Sequence, residues 1–199
     1  MKKKTHTFKL LKLALMEILS QRRSAVKIKG LVEFLATMVQ RNGLSQTISL
    51  AESIENPLSR FQAYAIVIES VYQLNQTQAF LKLTQKSPRV QEWAETIVYF
   101  AKQQPPQPGM LEMARWLIDF TGDSASISRL YARMLSVSDS QALDMRRALY
   151  EASQVTDLGQ RFETYHAIRR SLAGLPPALR KNGLHLISHD LLCRTPAAK

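Results

Sequence analysis

Residues 51–72, AESIENPLSRFQAYAIVIESVY, have an echo about a hundred positions later, at 152–173. Laid over each other, the stretches pair Ala51 with Ala152, Ile54 with Val155, Asn56 with Asp157 and Arg60 with Arg161. They go on to pair Phe61 with Phe162, Tyr64 with Tyr165, Ser70 with Ser171 and Val71 with Leu172, without a slip in register. A polar cap position and helical-period apolar positions recur together. That combination predicts one structural joint used more than once, a capped turn leading into a helix.

Helical period runs through the rest of the chain, and no segment alternates convincingly as a strand. Leu31, Phe34, Leu35, Met38 and Val39 form one stripe, and Phe61, Tyr64, Ala65, Ile68, Val71 and Tyr72 another. Further stripes are Val90, Trp93, Ile97, Phe100 and Ala101, then Met110, Met113, Ala114, Leu117 and Ile118. Ile127, Leu130, Tyr131, Met134 and Leu135 follow, then Met145, Ala148, Leu149, Ala152 and Val155, and last Leu184, Ile187 and Leu191. The stops between them are chemically explicit. Asn56-Pro57, Ser87-Pro88 and Gln107-Pro108 place a proline where a helix can start. Asn56, Ser87, Asp123 and Asp157 suit N-caps, and Asn42-Gly43, Gly122 and Gly174 suit left-handed C-caps. Gly30 and Gly183 interrupt helices so drawn and are read as marking boundaries.

Cutting at these stops gives units 24–57, 58–88, 89–123, 124–157 and 158–194, each one helical hairpin. The layout resembles the helical-hairpin α-solenoids, the TPR-like and HEAT-like repeat proteins, over residues 24–194. That resemblance implies a curved stack whose inner face binds a peptide or another protein. The expected fold is therefore all-α: a right-handed α-solenoid of about five stacked hairpins with an N-terminal amphipathic helix. It is expected to be a single domain over 1–199, with a basic amphipathic helix at 1–23, the repeats at 24–194 and a tail at 195–199. A compact bundle of the same helices is the alternative packing.

Charge is the one strong deviation in composition, +11 over 199 residues, and it is concentrated at the ends. Residues 1–30 carry nine basic side chains against Glu17 alone, a balance of +8, and residues 161–199 carry seven against two, a balance of +5. Between them the balance is −2. Basic ends can attract an acidic protein face, nucleic acid or an anionic membrane, or serve solubility. The N-terminus has the basic start of a signal peptide, but Lys12 and Glu17 interrupt its apolar run and no small-residue cleavage site follows. Phe8, Leu11, Leu15, Ile18 and Leu19 instead share one helical stripe, the pattern of an amphipathic docking helix. The single cysteine, Cys193, allows no internal disulfide and fits a reducing compartment; a cytoplasmic location is expected.

Basic residues recur near the start of successive first helices: Lys27, Arg60, Arg89, Arg129 and Arg161. They form either an edge ladder for a polyanion or local pairs with Glu55, Asp123 and Asp157. Phe61, Tyr64, Phe162 and Tyr165 read as core aromatics. His185, His189 and Cys193 lie at i, i+4, i+8 with Asp190 beside them, a zinc-compatible set. Structural zinc wants four ligands from separate elements, no second pair is in sight, and His166 reads as a packed histidine, so no metal is expected. The carboxylate pairs Glu92 with Glu95 and Asp139 with Asp144 read as solvated faces. No phosphate loop, nucleophile elbow or zinc-protease motif occurs, so neither catalysis nor a cofactor is expected.

The expectation is a non-enzymatic helical-repeat scaffold that binds a protein partner, an acidic one by charge. The alternative is a nucleic-acid-binding repeat protein using its basic termini. An anionic membrane surface, met through residues 5–21, is the third. Candidate partner-binding residues are Lys9, Lys12, Arg22, Arg23, Lys27, Arg60, Arg89, Arg161, Arg169 and Arg170.

Overall fold

A computed structural model of the chain describes residues 2–21, 23–41, 43–103 and 108–194, with side chains for 8–102 apart from 22 and 42, and for 109–193. Among these residues there are eleven α-helices and no strand. In order they are α1 (Lys2–Ser20), α2 (Ser24–Gln40), α3 (Leu44–Glu52), α4 (Pro57–Gln73), α5 (Thr77–Thr84) and α6 (Val90–Gln103). There follow α7 (Pro108–Ile118), α8 (Ser124–Met134), α9 (Gln141–Gln154), α10 (Leu158–Leu172) and α11 (Pro177–Arg194). Each of the five units cut from the sequence holds two of these helices, from α2 with α3 to α10 with α11. No helix among the described residues is long and apolar enough to cross a membrane.

Contacts divide the chain into two compact units, Met1–Thr96 and Ile97–Lys199, with the boundary inside α6. In the first unit α1 packs on α2 and α3, α2 on α4, and α3 on α5. First helices therefore touch first helices, and second touch second. Leu31, Leu35 and Val39 of α2 meet a core that includes Tyr64, Val67, Ile68 and Val71 of α4. Each such side chain contributes roughly 1.5–3 kcal/mol by leaving water. The aromatic centre is Trp93, whose ring stacks on Tyr64 with centroids 3.7 Å apart and takes Phe80 edge-on at 5.3 Å. The indole N–H donates to the Glu52 carboxylate at 2.9 Å. Burial, and after it the nearby Glu92 and Glu52 carboxylates, push the Tyr64 phenol far above its ordinary range.

In the second unit α8 packs on α9 and α10, and α11 packs on α9 and α10. The polar centre is Arg115. Its Nε donates to Asp144 Oδ1 at 3.1 Å, and its Nη2 donates to Asp139 Oδ1 at 2.6 Å and to Ser138 Oγ at 3.1 Å. Ser138 in turn donates to Asp144 at 2.5 Å, so that the fully buried carboxylate is satisfied from two sides. Asp144 is thus not on a solvated face; a guanidinium 29 residues earlier comes to meet it. Hydrogen bonding to Asp144 first, and to Asp139 as well, raises the Arg115 pKa.

Caps follow the sequence closely. Asn56 Oδ1 accepts from the Ser59 N–H at 2.9 Å, Asp123 Oδ1 from Ser126 at 2.8 Å and Asp157 Oδ1 from Gln160 at 2.7 Å. Ser87 Oγ accepts from the Arg89 N–H at 2.9 Å while donating to Glu52. Gly122 has φ +89°, the left-handed geometry expected of it. Gly43 does not: at φ −91° it opens α3 as the N-cap. Gly174 is not left-handed either, and Asn42 lies outside the described residues.

Gly30 and Gly183 mark no boundary. Both sit inside helices where a neighbour comes close. A Cβ at position 30 would lie 3.3 Å from Ile18 Cγ2, and one at 183 only 2.8 Å from Leu172 Cδ1 and 3.0 Å from Met145 Sδ. This contact also sets the rotation of α11. Gly183 and Ile187 face inward, and Leu184, expected on the buried stripe, is exposed.

Candidate partner-binding groove

One groove of about 430 Å³ in the first unit is built from three pieces of chain. Lys12, Leu15, Met16 and Leu19 project from one side of α1, at helical spacings of three and four. Lys27 comes from the first turns of α2, and Ser53, Ile54, Glu55, Asn56 and Ser59 from the joint between α3 and α4. Leu15 and Ile54 are buried, whereas Met16 stands 57% exposed at the rim. The first copy of the joint thus lines a groove as well as starting a helix.

Polar groups ring this apolar floor. The Lys27 ammonium donates to Ser59 Oγ at 3.0 Å, its one hydrogen bond among the described residues. The same serine's N–H is held by Asn56, so the cap fixes the hydroxyl that orients Lys27. Lys12 has no ion pair among the described residues. Among the described residues Glu55 is the one acid lining the groove, against two ammonium groups. Chemically the groove can take an apolar side chain into its floor and carboxylates at its rim.

Of the ten candidate residues, the structure brings Lys12 and Lys27 together here. Arg60 faces elsewhere: its Nε donates to Glu92 Oε2 at 2.7 Å and its Nη1 to the carbonyls of Ile54 and Glu55 at 2.7 and 3.1 Å. Arg89 donates to the same Glu92 at 2.6 Å, which raises its pKa. Glu92 is therefore shared between two guanidiniums and is not a solvated face. Arg161 donates from Nε to the Val155 carbonyl at 2.6 Å. Lys9 and Arg23 are exposed, as are Arg169 and Arg170 in the last turn of α10. Arg22 lies outside the described residues.

The two copies of the joint differ in their aromatics. Tyr64 and Tyr165 are buried as expected, but Phe162 is 49% exposed and His166 is exposed too. The inward face of α10 is Thr164, Tyr165, Ile168 and Leu172, which turns the line Phe162, His166, Arg170 away from the core. With Arg129 of α8, Glu163 and Ala167, that line borders a second cleft of about 520 Å³.

At the C-terminal helix Cys193 Sγ lies 3.6 Å from His189 Nε2, while Asp190 accepts a hydrogen bond from Tyr165 at 2.6 Å. No group of three or more His, Cys, Asp or Glu among the described residues is placed to hold a metal ion. The groove residues that sequence reasoning did not single out are Met16, Ser20, Ser53 and Ser59. The second copy of the joint carries Gln160 where the first has Ser59, and that difference was the only signal available. Comparison of the chain with protein-family models, with curated proteins and with solved structures returns no match.

Proposed function

We propose that the protein is a non-enzymatic helical-repeat adaptor that binds a protein partner through the groove on α1, α2 and the α3–α4 joint. The partner element is an amphipathic segment whose apolar residues enter the floor and whose acidic residues meet Lys12 and Lys27. One observation carries this reading: an apolar-floored groove of about 430 Å³ with two lysines at its edge. Met16, 57% exposed at the rim, supports an apolar contact that extends beyond the floor. The pairing of first helices with first helices and second with second in each unit supports a stack of hairpins in the solenoid manner.

The test is covalent capture. A photo-reactive amino acid at Leu19 should cross-link cellular proteins, and the sites captured on them should be acidic amphipathic segments. The pair Lys12→Glu and Lys27→Glu should remove those adducts. A synthetic peptide of a captured segment should bind the full chain, and its version with Glu and Asp replaced by Gln and Asn should bind at least about tenfold more weakly. Equal binding of both versions, or adducts indifferent to the lysines, would sink the reading.

A further inference from the structure

We propose that the cleft between α8 and α10 binds a nucleotide unit, with its base stacked on Phe162 and its phosphate held by Arg129 and Arg170. This site lies wholly in the second unit and rests on different residues from the groove above.

Three observations lead there. First, Phe162 exposes a ring that its counterpart in the other copy of the joint, Phe61, keeps more covered. An accessible aromatic face beside positive charge is what single-stranded or free nucleotides use, because every base has a face to stack. Second, Phe162, His166 and Arg170 stand at i, i+4, i+8 and so form one row on α10, with Arg129 facing it from α8. Third, these guanidiniums are available. Arg129 commits its Nε to the Ala125 carbonyl at 3.2 Å, and neither Arg129 nor Arg170 has an ion pair among the described residues. Elsewhere Arg60, Arg89, Arg115 and Arg147 all meet carboxylates.

Among the described residues Glu163 is the single acid lining the cleft, against two arginines. At about 520 Å³ the space is within the range of about 300–1,000 Å³ typical of small-ligand sites. A phosphopeptide would use the arginines alone. The exposed phenyl ring bordering the same cleft favours a ligand with its own aromatic face.

The full chain is titrated at low salt with a labelled single-stranded oligodeoxynucleotide and with a fluorescent adenosine monophosphate, followed by anisotropy. Inorganic triphosphate and a phosphoserine peptide serve as competitors. Phe162→Ala should weaken nucleotide binding by roughly five- to a hundredfold, and Phe162→Tyr should retain it. Arg129→Gln and Arg170→Gln should each lower the salt slope for the oligonucleotide by about 0.7. Binding of the monophosphate with the same variant pattern identifies a free nucleotide as sufficient, and binding of the strand alone identifies a polymer; both uphold the site. Unchanged affinity in Phe162→Ala overturns it, as does tighter competition by the phosphopeptide than by nucleotides. Loss of binding only on Lys9→Gln and Lys12→Gln would place it on the N-terminal helix and overturn it too.

Discussion

Arg161 Nε donates to the Val155 carbonyl, six residues back across a capped turn, at 2.6 Å. Arg60 makes the equivalent bond to Ile54 at 2.7 Å, then adds the Glu55 carbonyl and the Glu92 carboxylate. The same arginine thus clips shut both copies of the joint, with a heavier load on the first. Arg60→Met is expected to cost roughly 1.5–3 kcal/mol and Arg161→Met roughly 1 kcal/mol. Urea unfolding of the two single variants checks the order; an equal or reversed ranking would refute it.

The Arg115 network makes the second unit sensitive to one substitution. Arg115→Met strands a buried Asp144 and should cost roughly 3–5 kcal/mol. Asp139 supplies the pH dependence. Its hydrogen bond from Arg115 holds its carboxyl below the ordinary value of 3.8. A folded-state pKa below the unfolded one means stability that is present above the unfolded value and lost as pH falls through the folded one. Asp139→Asn should therefore be less stable than wild type at pH 7, with the gap narrowing in acid. A gap of the same size at pH 7 and in strong acid would show that Asp139 contributes nothing by titrating.

Tyr64 hides a hydroxyl that has no hydrogen-bond partner among the described residues. Removing it spares the cost of an unsatisfied buried group and keeps the ring on Trp93. Tyr64→Phe should be neutral or stabilising by up to about 1 kcal/mol, whereas Trp93→Ala should cost roughly 3–5 kcal/mol. Thermal melts read by circular dichroism distinguish these, and a clear loss in Tyr64→Phe would show that the hydroxyl is satisfied.

The two helix-interior glycines should respond oppositely to alanine. At position 30 the new methyl meets Ile18, which is only half-buried and can give way, so the gain in helix propensity, up to about 1 kcal/mol, survives. At position 183 it meets Leu172 and Met145, both buried. Overpacking there costs roughly 1–3 kcal/mol and outweighs the same gain. Gly183→Ala should thus lose stability and Gly30→Ala should not, as urea midpoints would report.

Local structure was largely legible. The caps Asn56, Asp123 and Asp157 and the division into helix pairs are written in neighbouring residues, where backbone donors must be satisfied. Long-range polar pairs were not. Arg60 finds Glu92 32 residues on, and Arg115 finds Asp144 after 29, because packing and not sequence proximity chooses among several carboxylates. Helix rotation escaped for a related reason. Phe162 and Phe61 occupy matching positions, yet the neighbours of α10 select a different face. The groove's lysines were visible as charge, but their convergence needed α1 folded against the joint.

The chain's two tryptophans fall one to each compact unit. Trp93 is fully buried between Tyr64 and Phe80, while Trp116 is partly exposed, tilted against Phe120 with centroids 4.6 Å apart. Each unit consequently carries its own intrinsic fluorophore, in surroundings of different polarity. With Trp116→Phe the remaining emission reports the first half alone, and with Trp93→Phe the second. Whether the halves melt as a single cooperative block or one after the other can be read from light the protein already emits.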